Sequence, residues 1–267
     1  MNLHFLLRVA TITLTECPHV RRQHTQASAR AARTGPQPEL RKPRDRHLTR
    51  LDPLLAGPAR TPARHRDSGP PGPPADHQAY AYLLGLYLGD GCLSAHPRGT
   101  GYYLRIACAD AWPGLIRLCR EAITKVRPGT GVSSLQKEGY VIVTSYYRHW
   151  PHLFPQHGPG VKHNRRITLE PWQQDIVDAH PWEFVRGLVH SDGCRVTNGT
   201  TRLVGGETKR YEYPRYFFTN LSTDIRQLYT DTLDKVGVSW KQANAHNVSV
   251  ARKASVALMD TRVGPKH

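Results

Sequence analysis

Apolar residues concentrate in two nine-residue segments that read almost alike, Leu83-Leu84-Gly85-Leu86-Tyr87-Leu88-Gly89-Asp90-Gly91 and Val185-Arg186-Gly187-Leu188-Val189-His190-Ser191-Asp192-Gly193. Each reads as an apolar helix ending in Asp-Gly, and the two aspartates are 102 residues apart. Small residues recur four apart, Gly85 with Gly89 and Gly187 with Ser191, so each helix carries a bare stripe on which another backbone can approach closely. The glycine after each aspartate is expected to take the left-handed conformation that ends a helix, leaving Asp90 and Asp192 on the final turns. A carboxylate there faces the negative end of the helix dipole, at a cost of about 0.3–1 kcal/mol. A cation is therefore expected nearby, and packing the helices side by side would bring both carboxylates to one edge.

The pattern downstream of each segment repeats. The first is followed by the alternating stretch Tyr102–Cys108, a helical period from Trp112 to Val126 and a strand at Tyr140–Thr144; the second by Arg215–Asn220, a helical period from Thr223 to Val236 and a strand at Asn247–Val250. Each copy closes on a related peptide, Gly158-Pro159-Gly160-Val161-Lys162-His163 and Val263-Gly264-Pro265-Lys266-His267. The aspartate-to-lysine spacing is 72 residues in one copy and 74 in the other. The order of elements predicts a duplicated α+β domain, with halves at 78–179 and 180–267. Residues 1–77 have no sustained apolar period and are rich in proline and arginine. They bury too little apolar surface to offset chain entropy, so a disordered basic extension is expected. The apolar stretch Leu3–Thr15 is too short to span a membrane and lacks a basic flank, and no run of 18 apolar residues occurs.

Charge narrows the partner. Lys and Arg number 37 against 21 Asp and Glu, a formal charge of +16. The excess is not confined to the extension, since residues 78–267 hold 24 basic and 15 acidic side chains. Such a surface suits phosphates and supports double-stranded DNA as a partner, without indicating sequence preference. The five cysteines form no Cys-x-x-Cys pair, which argues against a zinc site or disulfide scaffold and fits a reducing cytoplasm. Cys92 and Cys194 each follow Asp-Gly and read as equivalent positions at the start of a strand.

The two motifs resemble those of the LAGLIDADG (dodecapeptide, DOD-type) homing endonucleases, in the form that carries both motifs on one chain. The resemblance covers about residues 78 to 267. Leu88 and His190 replace an earlier acidic letter of the motif that is not the family's metal ligand. The resemblance implies a pseudo-twofold αββαββα fold in which the motif helices form the interface and two antiparallel sheets make a DNA-binding saddle. It implies that Asp90 and Asp192 bind the catalytic divalent metal, Mg²⁺, aided by the carbonyls of Gly89 and Ser191. Paired carboxylates are hard-oxygen ligands of the type that ion takes. Basic residues near the scissile phosphates would be Lys162 and Lys266.

Side chains on the strands alternate faces, so Leu104 and Ile106 point one way and Tyr103 and Arg105 the other, with Tyr211, Tyr213 and Arg215 preceding Tyr216 and Phe218. The candidates for reading a DNA groove are Arg98, Arg105, Lys137, Arg195, Arg202, Lys209, Arg210 and Arg215. The expected activity is metal-dependent hydrolysis of phosphodiesters in duplex DNA by a cytoplasmic, nucleoid-associated monomer. A non-cleaving DNA-binding regulator or an intron RNA maturase on the same fold is the alternative. Protein splicing is not expected, because His246-Asn247 runs on into Val248 within a repeat strand and the sequence closes on Lys266-His267 and not His-Asn.

Overall fold

The computed structural model describes residues 72–267. Most of the basic extension, with the Leu3–Thr15 stretch, lies outside the described residues. The Asp76 side chain accepts from Ala79 N at 2.8 Å and starts helix α1 (His77–Asp90), while Ala75 N donates to Val126 O at 3.0 Å. A helix start with its cap filled is fixed locally.

Helix α1 has no polar side, and every residue from Tyr80 to Leu88 is buried. Such a helix belongs in an interior. From its end the chain runs through β1 (Gly91–Ala95), β2 (Tyr102–Ala109), α2 (Pro113–Val126), β3 (Val132–Lys137), β4 (Tyr140–Tyr147) and a short α3 (Trp150–Leu153). A 3-10 turn at Lys162–Asn164 and helix α4 (Pro171–Ala179) lead into the second motif helix, α5 (Pro181–Asp192). The order then repeats as β5 (Gly193–Val204), β6 (Glu207–Thr219), α6 (Thr223–Lys235), β7 (Lys241–Asn244), β8 (Asn247–Val250) and α7 (Lys253–Arg262). Both sheets are antiparallel with the same strand order, β1-β2-β4-β3 and β5-β6-β8-β7. This is the duplicated αββαββα arrangement that the LAGLIDADG resemblance implies. Among the described residues no helix is long and apolar enough to cross a membrane.

One face of each sheet is lined by core side chains: Leu93, Leu104, Ile106 and Val143 in the first, Tyr216, Phe218, Val248 and Val250 in the second. In α2 the buried Leu115, Cys119, Ala122, Ile123 and Val126 fall on one helical stripe, which turns it onto the sheet. The other face of each sheet is open. By register it carries Ser94, Tyr103, Arg105, Thr144 and Tyr146 in the first sheet and Val196, Arg215, Asn198 and Tyr213 in the second.

The small-residue stripes meet where the two motif helices cross. A Cβ added at Gly187 would lie 2.2 Å from Tyr82 O, and one at Gly85 would lie 2.7 Å from Leu188 N and Phe184 O. The obstacles are backbone atoms and cannot swing aside, so the two main chains are in direct contact. One end of the seam is closed by His190, whose Nδ1 lies 2.9 Å from the Tyr82 hydroxyl across the interface. Burial, with Arg186 and Lys266 nearby, pushes the His190 pKa down to about 3, so the ring packs neutral.

The glycines after the aspartates correct an expectation. Gly91 and Gly193 are extended, at φ −96° and −97°, and not left-handed. Their role is space: a Cβ on Gly91 would sit 2.5 Å from Tyr87 Cα, and one on Gly193 2.7 Å from Val189 Cα. The chain turns straight from helix into strand, and only a residue without a side chain fits beneath the last turn.

Gly187→Ala is therefore expected to destabilise the fold by at least the about 1–3 kcal/mol typical of overpacking, measured by urea denaturation. Gly131→Ala is the control, because a Cβ there meets nothing within 4 Å.

Candidate active site

Asp90 and Asp192 end the two crossing helices, and the crossing brings them together: a Cβ placed on Gly89 would touch Ser191 Oγ at 2.2 Å and Asp192 Oδ2 at 2.9 Å. Both residues keep some solvent access. Burial first, and then the Asp192 carboxylate, raise the Asp90 pKa from 3.8 to about 7, while Lys266 and Lys162 oppose the rise. Asp192 is also raised by burial, opposed by a hydrogen bond from Asn220 and by the two lysines. Two carboxyls that each disfavour ionisation form a site that favours an added positive charge.

The expected cations are present. Lys162, from the 3-10 turn, places its Nζ beneath the end of α1, where it donates to Tyr87 O, to Leu88 O at 2.9 Å, to Gly89 O at 3.3 Å and to Gly91 O at 2.8 Å. Leu88 O and Gly89 O are carbonyls the helix end leaves unsatisfied, while Tyr87 O also accepts from Gly91 N and Gly91 O belongs to β1, so the ammonium caps the helix and ties it to the strand that follows. Lys266 takes the same place under α5 but donates only to Ser191 O, at 3.3 Å. Burial lowers both lysines, Lys162 to about 8. The C-terminal peptide that carries Lys266 is tied down, with Leu115 N donating to His267 O at 3.0 Å. Gly89 and Ser191, expected to offer carbonyls to a metal, thus face ammonium groups.

Asn220 was not among the residues read from the sequence. Its Nδ2 donates to Asp192 Oδ2 at 2.6 Å. In register, Gly91 faces Ile106 and Gly193 faces Phe218, so two residues further on Asn220 corresponds to Cys108. The repeat alignment alone could have found it. Asp192 therefore has a neutral amide donor that opposes its rise, whereas at Asp90 the rise from burial and from Asp192 is opposed by the two lysines alone. Cys92 and Cys194 occupy the second positions of β1 and β5 and form no disulfide among the described residues.

The DNA-facing candidates separate by sheet face. Arg105 lies on the open face of the first sheet, over the Tyr103 ring at 5.0 Å and donating to Ser94 Oγ. Lys137 shares that face by register, and Arg98 lies in the exposed turn after β1. Arg215, Arg202 and Lys209 lie on the open face of the second sheet, Arg215 at 5.5 Å from both the Tyr213 and Phe217 rings. The other two candidates lie on the opposite face by register. Arg195 points to the helix side, where its Nε and Nη2 hold Asp260 of α7 at 2.7 and 2.9 Å. The same carboxylate accepts from the Tyr216 hydroxyl at 2.7 Å. Arg210 shares the helix-side parity and pairs with Glu212 at 2.7 Å.

No family model matches the chain, and no curated protein matches it. Among solved structures it is similar to I-DmoI in complex with DNA and Mn, at 14% identity and a TM-score of 0.46, over 72% of this chain and 98% of that one. It is similar to the N-terminal LAGLIDADG domain of WhiA at 12% identity and a TM-score of 0.44, over 72% of this chain and 83% of that one. The figures for the LAGLIDADG meganuclease I-AabMI bound to uncleaved DNA are 12% and 0.44, over 68% and 83%. No residue's role passes from those proteins to this chain.

The carboxyl shift has a sign that can be tested without metal. A folded Asp90 that keeps its proton up to about pH 7 stabilises the protein fully below 3.8, and this contribution is lost as the pH rises through about 7. Between about pH 4 and 7 in EDTA, wild type is expected to lose stability relative to Asp90→Asn in urea melts. Parallel curves would refute the assignment.

Proposed function

We propose that this chain is a site-specific endonuclease, homing-endonuclease-like, that hydrolyses phosphodiester bonds in double-stranded DNA with a divalent metal, Mg²⁺. The observation that carries the proposal is the meeting of two ionisation-resistant carboxyls, one from each repeat, at the end of the helix crossing.

The residues fit such an ion. Asp90 and Asp192 offer hard oxygen donors, and the Gly89 and Ser191 carbonyls lie on the same helix ends. Among the described residues no group of three or more His, Cys, Asp or Glu side chains could hold a metal. Further donors would be carbonyls, water and the phosphate itself, in keeping with an oxygen-preferring ion. When bound, the ion supplies charge neutralisation at the phosphate and an activated water. The chain's part is to hold both carboxylates at one point on the pseudo-twofold seam, within reach of both strands. Asn220 fixes the orientation of Asp192. Lys162 and Lys266 are the ammonium groups nearest the carboxylates, and their move from helix carbonyls to phosphate oxygens would bring positive charge to the scissile groups. Because one chain carries both aspartates, the active species is a monomer on DNA, a point sedimentation of the complex would decide.

One observation favours a second reading. Two carboxyls and two ammonium groups balance without any metal, which suits a DNA-binding protein that does not cut.

A randomised duplex library separates the two. Wild type is expected to cleave selected members in Mg²⁺. Asp90→Asn and Asp192→Asn are each expected to lose cleavage by orders of magnitude while retaining gel-shift binding in Ca²⁺, since shape is kept and a negative ligand is lost. Arg105→Ala and Arg215→Ala are expected to weaken binding first. Selective binding by wild type with no cleavage in Mg²⁺ would establish the second reading.

A further inference from the structure

The two halves match at the helix seam and diverge at their far edges. In the first sheet, β2 is paired with β4 along its whole length, Tyr102 to Ala109, and the β1–β2 pairing ends at Ala95↔Tyr102. In the second, β8 pairs with β6 only from Tyr216 to Thr219, while β5 and β6 continue together for nine further pairs, from Val196↔Arg215 to Val204↔Glu207. Gly205 and Gly206 close the ribbon, both at positive φ, 62° and 85°, as a two-residue hairpin turn requires. Nine residues at ~3.3 Å each make an arm about 30 Å long with no third strand beside it.

Charge is sorted between the faces of this arm. On the helix-side face of the arm Arg210 is neutralised by Glu212, as Arg195 is by Asp260 at its base, while the open face carries Arg202, Lys209 and Arg215 against the single carboxylate Glu207. On the open face, the cross-strand pairs Asn198–Tyr213, Thr200–Tyr211 and Arg202–Lys209 run outward from Arg215. None of Arg202, Lys209 and Arg215 forms an ion pair with a described residue. Tyr211 is 45% exposed and Tyr213 37%. A two-stranded ribbon fits the major groove, and cations with amide, hydroxyl and aromatic groups between them suit phosphates and base edges. A protein partner for the apolar tip, where Leu203 is 74% exposed, would not account for basic side chains left unpaired on one face only.

We infer that the β5–β6 arm lengthens the DNA-facing side of the second half alone, so that this protein reads a lopsided site extending several base pairs further under that half. The inference rests on the DNA-binding reading above and adds the asymmetry.

The test uses two full-chain variants and one shortened arm. In the shortened variant Asn198 is joined to Tyr213 through Asn-Gly, which preserves their register. Each protein selects from a randomised 40-base-pair duplex library in Ca²⁺ and is then footprinted with hydroxyl radicals. Wild type is expected to specify and protect more positions on one flank, and the shortened arm to lose only those. Arg202→Ala/Lys209→Ala in the otherwise intact chain is expected to lower the slope of log affinity against log salt by about 2, and Arg210→Ala to leave it unchanged. The point variants keep the test decisive if the shortened arm does not fold. A symmetric wild-type footprint, an unchanged footprint after shortening, or equal slope losses for the two faces would overturn the inference. Absence of duplex binding by wild type would overturn the DNA-binding reading itself.

Discussion

Everything in this molecule is referred to one contact, the place where the main chains of α1 and α5 touch across Gly85 and Gly187. Helices normally meet through side chains at about 8–10 Å between axes. Here a single methyl group would collide with backbone on the opposite helix. That closeness sets the position of the later residues of each helix, because the next turn of both chains carries Gly89 and Ser191 and then the aspartates. Each carboxylate is placed by rigid backbone and not by a flexible side-chain stack. Gly91 and Gly193 extend the same constraint, letting the strands leave directly beneath the last helical turn.

Two carboxyls forced together at helix C-termini suffer three unfavourable effects at once: burial, mutual repulsion and the helix dipoles. Lys162 and Lys266 oppose the last two by placing an ammonium under each helix end, and Lys162 caps α1 through Leu88 O and Gly89 O while also reaching Gly91 O of β1. The relief is unequal. Asp192 has Asn220 as a donor, whereas the corresponding residue of the first half is Cys108, and Asp90 retains a pKa of about 7. Nearly symmetric backbones thus hold electrostatically distinct acids.

The sequence exposes most strongly the features that backbone contact enforces. The paired motifs, their four-residue small stripes, the repeated order of elements and the equivalence of Lys162 and Lys266 were all readable, because each is a periodic or duplicated pattern. Polar elements were harder to see. Strands β3, β7 and most of β5 are exposed and rich in Ser, Thr, Asn, Gln and Lys, so no apolar alternation marks them, although Gly205-Gly206 was an available hairpin signal. The supposed left-handed glycines failed for a different reason: Asp-Gly after a helix is equally compatible with a steric requirement, and only the position of Tyr87 or Val189 beneath the glycine separates the two. Arg195 looked like a groove reader because nothing local reveals that Asp260, 65 residues on, lies against it.

Divergence between the repeats increases with distance from the seam. At Gly85 and Gly187 any added atom is rejected by the partner backbone, so both halves must remain alike. Beside the aspartates the halves differ by one amide. At the sheet edges the difference reaches a whole arm, because a two-stranded ribbon closed by its own glycine turn can lengthen by pairs of residues without disturbing register or core. A shared helix seam therefore fixes the chemistry at the centre and leaves each half free to vary its outer surface, where sorting of charge between two faces of a ribbon is sufficient to give one half a longer reach than the other.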